Sequence, residues 1–210
     1  LASLSLNETV TLGPDVPVVT FISRNLEPMR GFPELMRALP ELQRRHPSVQ
    51  VVIVGGDEVS YSSAPGQGGT WKQVLLHELE GQLDPTRLHW FGRIPHEQLV
   101  KLYRRSDLHV YLSNAFVLSW SLLEAMACGT PVLAADNPML SELLTHGRTG
   151  LLWQPQRQAL HDALSEALAL GPQLRQLGVA AQQLVAERYS QSGSVLRLEQ
   201  LCQRLAAQLF

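Results

Sequence analysis

"VPVVTFISRNLEPMRGFPELMRALPELQRRHPSVQVVIVGG" (residues 16–56) holds two apolar runs joined by one helical pattern. The first run, 16–23, is β-branched and apolar, which suits a strand covered on both faces. After it, Leu35, Ala38, Leu39 and Leu42 recur at helical spacing. The second run, 49–56, is again apolar and stops on two glycines. A strand, a helix and a second fully apolar strand form a parallel crossover unit.

The same alternation continues outward. "RLHWFG", "DLHVYLS", "TPVLAAD" and "TGLLWQ" read as further strands. "TWKQVLLHELEGQL" and "PHEQLVKLYRRS" read as helices, the latter with Pro95 at its start and Leu99, Leu102 and Tyr103 on one face. Residues 122–128 and "PMLSELLTHG" (138–147) are expected to be two short helices. From Gln156 the chain is helical in three pieces, broken at Gly171-Pro172 and near 190–193. The expected fold is therefore α/β, a doubly wound, Rossmann-like parallel sheet with helices on both faces. Residues 1–15 are a linker or start segment, 16–190 the domain, and 191–210 a terminal helix with apolar Val195, Leu196, Leu198, Leu201, Leu205 and Leu209. "SYSSAPGQGG" (60–69) is the one low-complexity stretch and is expected to be a mobile loop.

Composition narrows the function classes. The 210 residues carry 17 Lys+Arg against 19 Asp+Glu, a net charge of -2, which argues against whole-domain attraction to nucleic acid. Cys128 and Cys202 lie far apart in sequence, so a reduced, cytoplasmic setting is expected rather than a disulfide framework. The seven histidines show neither H-E-x-x-H nor zinc spacing, and no metal is expected. Neither a G-x-G-x-x-G fingerprint nor a P-loop occurs, and "FVLSWS" is not a nucleophile elbow. The chain opens on Leu1 rather than methionine and is read as a piece of something longer.

In a doubly wound sheet, ligands sit beyond the carboxyl ends of the strands. That rule singles out residues 24–31, 55–57, 93–95 and 113–124. Arg24 and Arg30 bracket the first strand-to-helix loop, where two guanidiniums beside a helix start suit a diphosphate. The same two could equally be solvated surface charges. Gly31 fits either a turn or a close backbone approach. Glu124 stands three residues after Ser121, so "SLLE" matches a capping box; the alternative is a carboxylate that accepts two ribose hydroxyls.

Taken in order, "ISRNLEPMRG", "VVIVGGD", "LHWFGRIPHEQLVKLYRRSDLHVYLS", "LLEAMACGTPVLAAD" and "LLTHGRTGLLWQP" resemble the C-terminal, donor-binding domain of retaining GT-B glycosyltransferases of group 1 (family 4). The resemblance implies the C-terminal half of a two-domain fold, with the acceptor-binding half upstream of Leu1. By position, Arg24 and Arg30 match the basic pair on the donor diphosphate, with Arg30 where lysine is usual. Ile94 matches the backbone contact to the nucleobase. Leu123 matches the apolar neighbour under the nucleoside, and Glu124 the ribose contact, the second acid of an E-x7-E motif. Val117, Leu118, Ser119, Trp120 and Ser121 match the turn whose amides point at the phosphates. The first acid of the motif is replaced by Phe116, and the following glycine by Ser119, so the sugar end of the site is rewritten.

The implied donor is a nucleoside diphosphate sugar, with no further cofactor. The implied acceptor is a glycan, lipid or small molecule held by the missing half. The class is compatible with a cytoplasmic enzyme or one peripheral at the inner membrane face. Two other readings of the same motifs are a nucleotide-sugar binding module without catalysis and a GT-B sugar-nucleotide epimerase.

Overall fold

The computed structural model describes residues 4–5, 11–114 and 119–209. A small antiparallel ladder of β1 (Leu4–Ser5) and β2 (Thr11–Leu12) opens the chain, with Leu4 opposite Leu12. The domain then runs β3 (Val18–Asn25), α1 (Phe32–Arg45), β4 (Gln50–Gly56), α2 (Trp71–Glu78), β5 (Leu88–Phe91) and α3 (His96–Arg105). It continues through β6 (Leu108–Tyr111), α4 (Trp120–Ala127), β7 (Val132–Ala135), β8 (Leu151–Trp153), α5 (Leu160–Ala169), α6 (Pro172–Tyr189) and α7 (Gln191–Leu209).

The six later strands form one parallel sheet in the order β5-β4-β3-β6-β7-β8. The chain builds outward from β3 to β5, returns beside β3 as β6, and then builds outward the other way. That is the doubly wound Rossmann-like order, with its switch point between β3 and β6.

Alternation along the strands fills both faces. Val19, Phe21, Val51 and Ile53 pack one way, with Phe32, Leu35, Leu39 and Leu42 of α1 and Leu164 of α5. Val18, Ile22, Val52 and Val54 pack the other way, with Leu102 and Tyr103 of α3, Leu122 and Met126 of α4 and Ala181 of α6. Burying each of these leucines contributes roughly 2 kcal/mol. Among the described residues no helix is long and apolar enough to cross a membrane.

Two helix expectations need correction. Residues 138–147 do not form an α-helix: a 3-10 turn spans Pro138–Leu140 and irregular turns follow. Here Thr149 substitutes for the helical ladder. Its hydroxyl accepts from the amide of Thr145 and donates to the carbonyl of Leu143, both at 2.9 Å. The helix expected over 122–128 begins two residues earlier, at Trp120, with Ser119 as its N-cap. The loop 60–69 has no regular structure, but its first residues are held firmly, as described below.

Candidate functional site

Arg24 is exposed, one residue before the end of β3. The chain then turns inward, burying Asn25, Leu26 and Glu27, and makes a 3-10 turn at Pro28–Arg30. It enters α1 through Gly31, whose φ is 74°. A β-carbon there would stand 2.2 Å from Leu112 Cβ and 2.8 Å from the Leu112 carbonyl oxygen. Both the backbone angle and the space therefore demand glycine. This contact brings the loop after β3 against the loop after β6, at the switch point. Asn114 N donates to the Met29 carbonyl at 3.0 Å, and Arg30 Nη1 donates to Ser113 Oγ at 3.3 Å.

Beside this crevice, at the carboxyl edge of β3, β4 and β5, lies a cavity of about 470 Å³. Ile22, Val54, Ile94 and Leu99 give it apolar walls, and Ser23, Arg24, Arg93 and Ser121 supply polar groups. On the rim Arg93 Nη2 donates to Glu58 at 2.7 Å. Such a cavity, mostly apolar with a few converging polar groups, is the common form of a small-molecule site.

α4 starts at this cavity. No side chain caps it: the hydroxyl of Ser119 turns to that of Ser121, 2.7 Å away. The Tyr103 hydroxyl donates to the Ser121 carbonyl at 3.2 Å and fixes the first turn. An uncapped helix start offers amides and a positive dipole end to an anion. Trp120 is 81% exposed here and plays no part in the core.

The capping box suggested by "SLLE" is not formed. Because α4 starts at Trp120, Glu124 lies past its first turn, and its Oε1 instead meets His96 Nε2 at 3.0 Å. Leu123 is half-buried against the core.

The fold thus brings Arg24, Ile94 and Ser121 to one cavity. It sets Arg30 and Gly31 one loop away, at the β3–β6 crevice, and Leu123 and Glu124 further along α4. Phe116, Val117 and Leu118 lie outside the described residues.

Sequence reasoning missed two polar groups. His96 pairs with Glu124 from 28 residues away, and neither residue's neighbours announce it. Glu27 is fully buried, and its Oε2 accepts the backbone N–H groups of Ser60, Tyr61 and Ser62 at 2.9, 3.0 and 2.9 Å. Burial alone would raise this carboxyl. The three amides, aided by the charge of Arg30, outweigh burial and hold it below the ordinary range. Its spacing in "EPMR", three residues before Arg30, was the sole signal available.

Among the described residues no cluster of three or more His, Cys, Asp or Glu could hold a metal.

A profile of the family described as "Glycosyl transferases group 1" matches residues 9–184. A D-inositol 3-phosphate glycosyltransferase of Nocardia farcinica is 36% identical over 174 residues, covering 81% of this chain and 37% of the relative. The chain therefore spans little more than a third of that relative's length. Among solved structures, sucrose-phosphate synthase from Thermosynechococcus elongatus superposes with a TM-score of 0.74 at 27% identity, over 94% of this chain and 47% of that one. The Anabaena HepE protein in complex with UDP-glucose gives 0.69 at 25% identity, over 92% and 49% of the two chains.

Proposed function

The chain belongs to the group 1 glycosyl transferases, and from that premise we propose that it is the donor-binding, C-terminal half of a retaining GT-B enzyme. The enzyme moves a sugar from a nucleoside diphosphate to an acceptor hydroxyl. The observation that carries this reading is the meeting of Arg24, Ile94 and Ser121 at one cavity beside the open end of α4. The nucleoside occupies the apolar cavity, with its base at the backbone of Ile94 and Leu123 beneath it. Glu124 takes the ribose diol. Arg24, Arg30 and the first amides of α4, at Trp120 and Ser121, take the diphosphate.

Transfer breaks the bond between the sugar's anomeric carbon and the distal phosphate oxygen. Negative charge gathers on the departing diphosphate while the sugar becomes oxocarbenium-like. The acceptor hydroxyl attacks on the face the phosphate leaves and gives up its proton to a phosphate oxygen, so configuration is retained. The guanidiniums and helix amides stabilise the developing charge. Removing one such donor typically costs on the order of 3 kcal/mol in the barrier. The arginines serve where other enzymes use a metal ion. The acceptor, whether glycan, lipid or small molecule, binds a domain outside this chain. We place the whole enzyme in the cytoplasm, free or peripheral at the inner membrane face.

A second reading has its own observation. Phe116 stands where the resemblance expects an acid at the sugar end, which favours a module that binds nucleotide sugars without transferring them. Calorimetric titration with UDP, GDP and ADP tests the site. The expected result is binding of one of them, weakened at least about tenfold, the worth of one charge-assisted hydrogen bond, in Arg24→Ala and in Glu124→Ala. Absence of binding to all three would refute the donor site. Assay of the longer protein for transfer, as against hydrolysis or epimerisation of the bound sugar, separates the enzyme from the binding module and the epimerase.

A further inference from the structure

Glu27 has no exposed surface, yet three successive backbone amides point at one of its oxygens. A buried carboxylate persists only where such donors replace its lost hydration. Two more bonds join the same pair of loops. Ser62 Oγ accepts from Met29 N at 2.9 Å, and Asn25 Nδ2 donates to Ser60 Oγ at 2.6 Å. The segment 60–62 is thus clamped onto the turn that carries Arg30.

This clamp puts the Tyr61 ring against Arg30, with the guanidinium carbon 5.0 Å from the ring centroid. From the β6 side, Ser113 Oγ accepts from Arg30 Nη1. A side chain as long as arginine is normally free to sample many rotamers. Here it is held by a ring and a hydroxyl from two different loops. Its Nε is buried without a hydrogen-bond partner.

We propose that Glu27 is a positioning residue: by holding Ser60–Ser62 in place it sets Tyr61, and through Tyr61 it fixes the direction in which Arg30 offers its guanidinium to the donor diphosphate. This rests on the donor-site reading above. Preorganisation of that kind improves affinity because the ordering of the arginine is done before the ligand arrives. Its effect falls on the phosphates and leaves the nucleoside untouched.

The test uses the nucleoside diphosphate that the chain binds, together with its parent nucleoside. Glu27→Ala is expected to weaken the diphosphate about tenfold, as for one charge-assisted hydrogen bond, and to leave the nucleoside unchanged. Glu27→Gln, which keeps one acceptor oxygen, recovers part of the loss. Tyr61→Phe retains affinity and Tyr61→Ala loses it; as Tyr61 is 46% exposed, these variants keep the proposal testable should Glu27→Ala not fold. In an Arg30→Ala background the Glu27 and Tyr61 substitutions cost nothing more, because the three act as one unit. Amide hydrogen exchange on Glu27→Ala shows lost protection at Ser60, Tyr61 and Ser62.

Additive losses with Arg30→Ala, equal loss for nucleoside and diphosphate, or retained protection at those amides would each overturn the positioning role. The donor-site reading survives all three results, provided that binding still depends on Arg24. If the wild-type chain binds no nucleoside diphosphate, the donor site itself fails, and the positioning role falls with it.

Discussion

A methyl group at position 31 has nowhere to go, because Leu112 Cβ would lie 2.2 Å away and the backbone stands at a φ of 74°. Gly31→Ala should therefore destabilise the fold by about 3 kcal/mol, a value typical of strain combined with overpacking. Urea denaturation measures it. His109 sets a second prediction at this scale. Its imidazole is fully buried, with Thr20 Oγ1 at 3.1 Å and the Tyr103 ring perpendicular to it at 5.3 Å between centroids. Burial pushes its pKa down from 6.5 to about 4, against a smaller opposing pull from Thr20. Above pH 6.5 neither state is charged there. As the pH falls, the unfolded chain takes up a proton that the folded chain refuses until about pH 4. Stability thus declines across that interval and levels off below it, by on the order of 3 kcal/mol in all. Chemical denaturation between about pH 7 and about pH 4 checks the sign, and His109→Gln should flatten the profile there.

Among elements, the joint between α6 and the turn after α4 depends on a missing side chain. A β-carbon on Gly178 would come within 2.2 Å of the Gly129 carbonyl oxygen. Gly178→Ala should lift α6 from that turn and cost about 2 kcal/mol by overpacking, seen as a lower thermal midpoint. The strands were legible in sequence because each is a short, nearly continuous apolar run, and burial on both faces leaves such a run few alternatives. The helix starts were less so. The sequence around α4 offers two serines, and the one that caps, Ser119, does so through its backbone position without a side-chain bond, so no local pattern marks it. Residues 138–147 carry helical spacing, but Thr149 takes over the backbone partners there. The candidate site was half legible. Arg24, Ile94 and Ser121 follow from the rule that ligands sit at strand ends. The roles of Glu27, though it lies in the marked loop, and of His96 do not, because their partners are 28 to 35 residues away and only the folded chain brings them together.

On the scale of the molecule, α7 stands apart from the rest. Val195, Leu196, Leu198, Leu201 and Leu205 are 45% to 61% exposed, so the helix adds little to the core of this domain. Removing residues 191–210 should therefore change the stability of the remainder by less than about 1 kcal/mol. The denaturation midpoint of the truncated chain, compared with the whole, is the measurement. The first strand pair contributes more than its length suggests, since Leu12 is 2% exposed and belongs to the core cluster on that face of the sheet.

The backbone of Met29 is bonded on both sides: its carbonyl accepts from Asn114 N, while its amide donates to Ser62 Oγ. Three loops that diverge from neighbouring strands are in this way riveted at a single residue. Strain applied to any one of them is passed to the other two, and these bonds resist widening at the bottom of the crevice. The floor of the crevice is thus assembled by the chain's own bonds, with no guest needed to hold it together.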